Sequence, residues 1–160
     1  MQSSRETIYQ AVFDILSKAP GLVTATRRFR PFAQVSQAET PILMTVQRKE
    51  NPGAAATERN MRMAMPYVWD LSLWCVVYVA SNSDPNFVPA TPLNAIVDYV
   101  VSVIPPATLA NPNMPGSGYA RNTLGIPGVY QVQIDGDLEW DEGLIAPASF
   151  VGIPIRILAL

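Results

Sequence analysis

Histidine is absent from the 160 residues. Without an imidazole there is no Ser-His-Asp or Cys-His catalysis, no histidine metal ligand and no histidine pH switch. A single cysteine, Cys75, excludes an intrachain disulfide and a cysteine-cluster zinc site. Charge is scarce as well: 15% of residues are charged, where about 25% is usual. A surface so short of solubilising charge suits a subunit that hides part of itself in an assembly. No run approaches the ~18 continuous apolar residues of a membrane span. Residues 1–6 lack the apolar core of a signal peptide. The expectation is a soluble protein made in a reducing cytoplasm, with no membrane partner.

What remains is an ordinary globular composition, 49% hydrophobic. A chain of this length reads as one domain, residues 1–160, able to bury a core without covalent staples. The net charge of −2 and pI near 5.0 argue against a protein that lives by gripping nucleic acid.

Periodicity predicts a helix over residues 3–18, with Ser3 and Glu6 as a capping box and Ile8, Ala11, Val12, Ile15 and Leu16 on one face. Pro20-Gly21 ends it. Strands follow at residues 22–29 and 40–49, the second with Ile42, Met44 and Val46 on one face and Leu43, Thr45 and Gln47 on the other. Residues 50–66 open on a turn signal and read as an arm or long loop. The clearest strand spans 67–80, with Leu71, Leu73, Cys75, Val77 and Val79 on its core face. A second helix starts at Thr91-Pro92, Thr91 as N-cap. Residues 105–128 are a Pro/Gly-rich loop. Three strands close the chain, at 129–135, 138–142 and 149–158. Pro154 in the last marks an edge strand or a bulge. The fold class is α+β: a mostly antiparallel sheet with two helices packed on one face, plus the long arm and loop.

Chemistry-bearing residues are few. Residues 1–62 hold nine Lys/Arg and five Asp/Glu, whereas 63–160 hold two and eight. Such polarity fits a basic patch of one copy meeting an acidic patch of the next. Arg27, Arg28 and Arg30, with Arg59, Met61, Arg62 and Met63, are the candidate contact residues with a neighbouring subunit or partner; arginine and methionine both suit protein interfaces. The arginines are also the only weak case for a phosphate-binding patch. Asp135, Asp137, Glu139 and Asp141 alternate, which places four acids on one strand face. That pattern reads first as a solvated, edge-protecting face and only secondarily as a hard-cation or catalytic site. Gly116-Ser117-Gly118 lacks the lysine of a phosphate loop. No catalytic residue, cofactor or metal is assigned, and the chain reads as a non-enzyme.

The order of these segments is similar to a known family. The opening helix from Arg5 to Phe13, the Thr26-Arg27-Arg28 strand end and the strand Thr40-Pro41-Ile42-Leu43-Met44 carry the likeness. So do the long strand from Trp69, Leu93-Asn94-Ala95-Ile96, the Ile134-Asp135-Gly136-Asp137-Leu138 segment, Asp141-Glu142-Gly143-Leu144 and the ending Val151 to Leu158. Over nearly its full length the chain resembles the tail terminator proteins of long-tailed bacteriophages and related head–tail neck proteins. The resemblance implies an α+β subunit of a hexameric ring in the virion, assembled in the host cytoplasm. Such a ring sits on the head-proximal end of the tail tube, stops tube polymerisation and docks the head. Its partners would be further copies of itself, the tail tube protein and the head-completion or stopper protein. Genomic DNA would pass through the lumen without sequence-specific binding, with Asp135, Asp137, Glu139 and Asp141 as candidate lumen-facing acids. The alternatives are a stopper or tube subunit of the neck and, in a different class, a small nucleic-acid-binding module or a carboxylate-dependent enzyme.

Overall fold

The computed structural model describes residues 3–52, 69–80, 83–104, 122–142 and 148–160. Helix α1 spans Arg5–Leu16, and Ser4 rather than Ser3 caps it: the Ser4 hydroxyl accepts the Thr7 N–H at 3.1 Å. Ile8, Tyr9, Val12 and Leu16 form its buried stripe; full burial of side chains of this size stabilises by about 1.5–3 kcal/mol each. The chain leaves the helix through Gly21, whose φ of 83° is a left-handed conformation that a side chain would strain.

Strand β1 is only Thr24–Thr26, much shorter than the 22–29 expected. The Thr26 hydroxyl accepts the Arg28 N–H at 3.1 Å, and this local turn pulls the chain off the sheet. Two short 3₁₀ turns follow, Phe32–Gln34 and Gln37–Glu39. Strand β2 covers Ile42–Pro52 and β3 covers Trp69–Ala80, paired antiparallel to their ends; the expected arm between them lies largely outside the described residues. Helix α2 is Ala90–Val103. Thr91 is inside it, not its cap: Pro89 is the N-cap, and Pro92 sits in the first turn, where a missing N–H costs no hydrogen bond. Asn122 Nδ2 donates to the Val103 carbonyl at 2.8 Å and closes the helix. Residues 105–121 of the Pro/Gly-rich loop lie outside the described residues. The chain ends in β4 (Val129–Ile134), β5 (Glu139–Glu142) and β6 (Ala148–Ala159).

The strands form one sheet in the order β1-β2-β3-β6-β4, with β5 also on β6; only the β1–β2 pair is parallel. The fold is therefore α+β with a mostly antiparallel sheet. Both helices pack on one face, where Leu43, Leu73, Cys75, Val77, Val132, Ile153 and Ile155 meet the α1 and α2 stripes in a single core. The Tyr99 hydroxyl donates to the Ile15 carbonyl at 2.9 Å and ties the helices together.

The opposite face holds a second apolar cluster that periodicity alone did not indicate. Val35, Ile42, Met44, Val76 and Tyr78 are its buried members. The 3₁₀ segment covers it: Phe32 stacks on Tyr78 with ring centroids 4.3 Å apart and lies 5.2 Å from Phe150. The outer face is thus split, apolar and covered at one end, polar at the other.

Pro154 lies in β6, which is an interior strand with β3 on one side and β4 and β5 on the other. Its tolerance comes from its partner. Ile134 pairs with Ile155 and Glu139 with Gly152, so residues 135–138 oppose only Ile153 and Pro154. The Pro154 carbonyl accepts the Asp135 N–H at 2.9 Å. A residue's N–H and C=O point to the same side of a strand, so the missing proline N–H falls on this bulged side, where no ladder bond is lost. β4 and β5 are accordingly one interrupted edge, not a hairpin.

Candidate interaction surface

The polar end of the outer face is built around Trp74 on β3. Gly152 on β6 lets the indole lie flat: a Cβ there would stand 2.8 Å from Trp74 Cζ2 and Nε1. The Arg48 guanidinium covers the same ring, 4.6 Å from its centroid, a cation–π contact. Beside it Arg156 grips Asp70 through two bonds, Nε–Oδ1 at 3.0 Å and Nη2–Oδ2 at 2.6 Å. These groups line an open groove of about 840 Å³ that also reaches Lys49, Asn51 and Asp135. Of its three carboxylates Asp70 is bound to Arg156, and Glu50 to Arg5 and Tyr9, so the groove presents aromatic and charged contact surface.

Arg48 owes its place to a β-bulge. Gln47 pairs with Leu73 and Lys49 with Ser72, which leaves Arg48 as the extra residue. The insertion reverses the faces beyond it. Glu50 thereby turns to the helix side, where its carboxylate accepts from the Tyr9 hydroxyl at 3.0 Å and pairs with Arg5. Arg5 also lies over the Trp69 ring at 4.6 Å. Burial first, then the bond to Glu50, pushes the Tyr9 phenol well above its ordinary value of 10.0.

A smaller pocket of about 330 Å³ opens where β1 stops and β2 continues. Tyr9, Arg27, Phe29, Thr45, Val46 and Gln47 line it. Arg27 is fixed there by Glu6 and by Gln10 Oε1 at 2.9 Å. The Glu6 bond raises the Arg27 pKa, and the same bond lowers that of Glu6. Phe29 stands at the rim, 46% exposed.

The predicted contact residues are dispersed. Arg27 walls the small pocket. Arg30 pairs with Glu39 at 2.7 Å and so braces the 3₁₀ segment. Arg28 is exposed. Arg59, Met61, Arg62 and Met63 lie outside the described residues. The four acids do not lie on one regular strand: Asp135 and Asp137 belong to the bulge, and only Glu139 and Asp141 lie on β5. The bulge arises because the Gly136 φ of 113° breaks the extended conformation that alternation assumes. Asp135 lines the outer-face groove, and Glu139 and Asp141 stand opposite Gly152 and Phe150 on that same face. Among the described residues no three Cys, Asp or Glu side chains converge as a metal site. Cys75 is fully buried in the core, and burial pushes its thiol up to about 12. No helix among the described residues is long and apolar enough to cross a membrane.

Sequence reasoning missed Tyr9, Phe29, Arg48, Trp74 and Trp140. The only hint for Trp140 was its flanking acids. No model of a known protein family matches the chain, and no curated protein matches it.

Proposed function

We propose that the chain is a structural virion protein, a tail terminator that forms a ring on the head-proximal end of a phage tail tube. In that role it ends tube polymerisation and offers the head-docking surface, and DNA passes through the lumen. The observation that carries the reading is the way the segments of the family resemblance come together. The opening helix, the Thr26–Arg28 turn, the long central strands, the second helix and the β4–β6 ending form one α+β unit around a single core. The groove at the polar end of the outer face and the β2–β3 pair supply surface for the contacts a ring subunit needs.

A nucleic-acid module is less well supported. Arg27 and Arg30 neutralise Glu6 and Glu39 instead of standing clear for phosphate. The test is electron microscopy of the purified chain with tail tubes of the same virus. Rings that mark one end of tubes of fixed length are the expected result. Tubes whose ends stay bare, or that keep growing, overturn the reading.

A further inference from the structure

We propose that copies of this chain join head to tail, with Trp140 on the β5 edge of one copy seated in the Tyr9–Arg27–Phe29 pocket beside β2 of the next. The inference deepens the ring reading above but stands on observations of its own.

Among the described residues the sheet has two open flanks: β5 pairs with β6 alone, and β2 has a partner on its β1 side only at Ile42, Leu43 and Met44. Residues 45–52 of β2 thus present, among the described residues, an open edge about 26 Å long at 3.3 Å per residue. An open edge of this length either is defended or is used.

The strand directions fit a joint between identically oriented copies. β2, β3, β6 and β5 alternate in direction along the sheet. β5 of one copy, placed next to β2 of a following copy, therefore runs antiparallel to it. A β-strand addition can form without turning either subunit over.

The side chains are complementary on both faces. Trp140 pairs with Val151, a residue of the helix-side core, yet it stays 42% exposed. The small pocket beside β2 lies on that same helix side, because Tyr9 and Leu73 line it. It offers an indole two aromatic rings and the Arg27 guanidinium, and tryptophan is a leading anchor residue at protein interfaces. On the outer side Glu139 and Asp141 project from β5, while Arg48 and Lys49 project from β2. The charge imbalance of the two sequence halves follows the same plan. Arg27 and Arg30 are paired with Glu6 and Glu39, so the cations that matter at the β2 flank are Arg48 and Lys49, and the acids at the β5 flank are Glu139 and Asp141. Opposite, unlike edges form heterologous contacts, which close into a ring or run on as a filament.

Two variants test the joint with the chain alone. Trp140→Ala removes the anchor, and Gln47→Trp fills the pocket from an exposed position. Analytical ultracentrifugation at low salt reads the size, and circular dichroism melts establish that both variants fold. The expected result is self-association of the wild-type chain, weakened about 30-fold or more by either change. An equimolar mixture of the variants keeps one intact joint, Trp140 of the Gln47→Trp chain in the open pocket of the Trp140→Ala chain. It is expected to form dimers and nothing larger. Variants that associate like the wild type, or a mixture that stays monomeric, overturn the proposal. So does a wild-type chain that is monomeric at about 1 mM, the weak end of measurable affinity. A chain that marks tube ends yet shows no such joint overturns this contact and leaves the terminator reading standing. A chain with the joint that ignores tubes does the reverse.

Discussion

The Tyr9 hydroxyl donates to Glu50 Oε1 at 3.0 Å, linking α1 to the far end of β2. The bond exists because one extra residue, Arg48, reverses the strand's faces just before Glu50. It has a pH signature. The folded-state pKa of Tyr9 is raised, so its contribution to stability is complete below the unfolded value of about 10 and falls away as pH rises above it. Tyr9→Phe is expected to cost about 1.5–3 kcal/mol at pH 7, as for a bond to a charged acceptor. Melting temperatures across pH 8–11 check it: the variant should lose the Tyr9 share of the alkaline decline. An unchanged decline would show that Tyr9 is not its source.

Deletion of Arg48 removes the bulge without removing any core residue. Lys49 then follows Gln47 directly and keeps its place opposite Ser72, and Glu50 keeps its place opposite Leu71, so both keep their faces. The chain is expected to remain folded around the α1–α2 core and to keep the Arg5–Glu50 and Tyr9–Glu50 links, losing only the Arg48 cover of Trp74. A double-mutant cycle with Tyr9→Phe reads this: the Tyr9 substitution should cost as much in the deletion background as in the wild type, and a cost near zero would show that Arg48 itself aims Glu50.

Glu39 ties the 3₁₀ segment over the second apolar cluster. The Ser36 N–H first, then Arg30 and the Ser36 hydroxyl, holds its pKa down at about 2. A depressed carboxylate stabilises above its unfolded pKa and loses that effect as pH falls, here between about 4.5 and 2. Glu39→Gln should flatten the acid dependence in that window. Fluorescence of Tyr78, inside the cluster, and of Trp74, packed against it, follows the loosening. An acid transition identical to that of the wild type contradicts this role for Glu39.

Gly152→Ala drives a methyl into the Trp74 indole, 2.8 Å away. Overpacking of this kind costs about 1–3 kcal/mol. The same change in a Trp74→Leu background should cost much less, because the obstructing ring is gone. Equal costs in both backgrounds would mean that the glycine serves the backbone of β6 and not the ring.

Much of the architecture was legible in the sequence because burial imposes a period. The stripe Ile8, Val12, Leu16, the alternation from Leu71 to Val79 and the stripe Leu93, Ile96, Val97, Val100 each name a buried face, and all three converge in one core. The absence of histidine and the single cysteine limited the chemistry on composition alone. What escaped the sequence depends on residues that interrupt a period. The Arg48 bulge redirects Glu50, and the bulge at 135–138 interrupts the single strand that alternation reads through the four acids. The Arg48 insertion has no local signature, because its stability comes from a partner strand distant in sequence; at 135–138 only Asp135-Gly136 marks the break. The second cluster under Phe32 and the Trp140 edge are likewise products of strand order: only pairing β6 between β3 and β5 puts Trp140 at one flank of the sheet and the Tyr9–Phe29 pocket at the other. The sequence by itself determined the elements and their apolar faces, since side-chain period and hydrophobic burial are local properties. Tertiary structure alone decided which side chains meet, because register and strand order are set by long-range pairing.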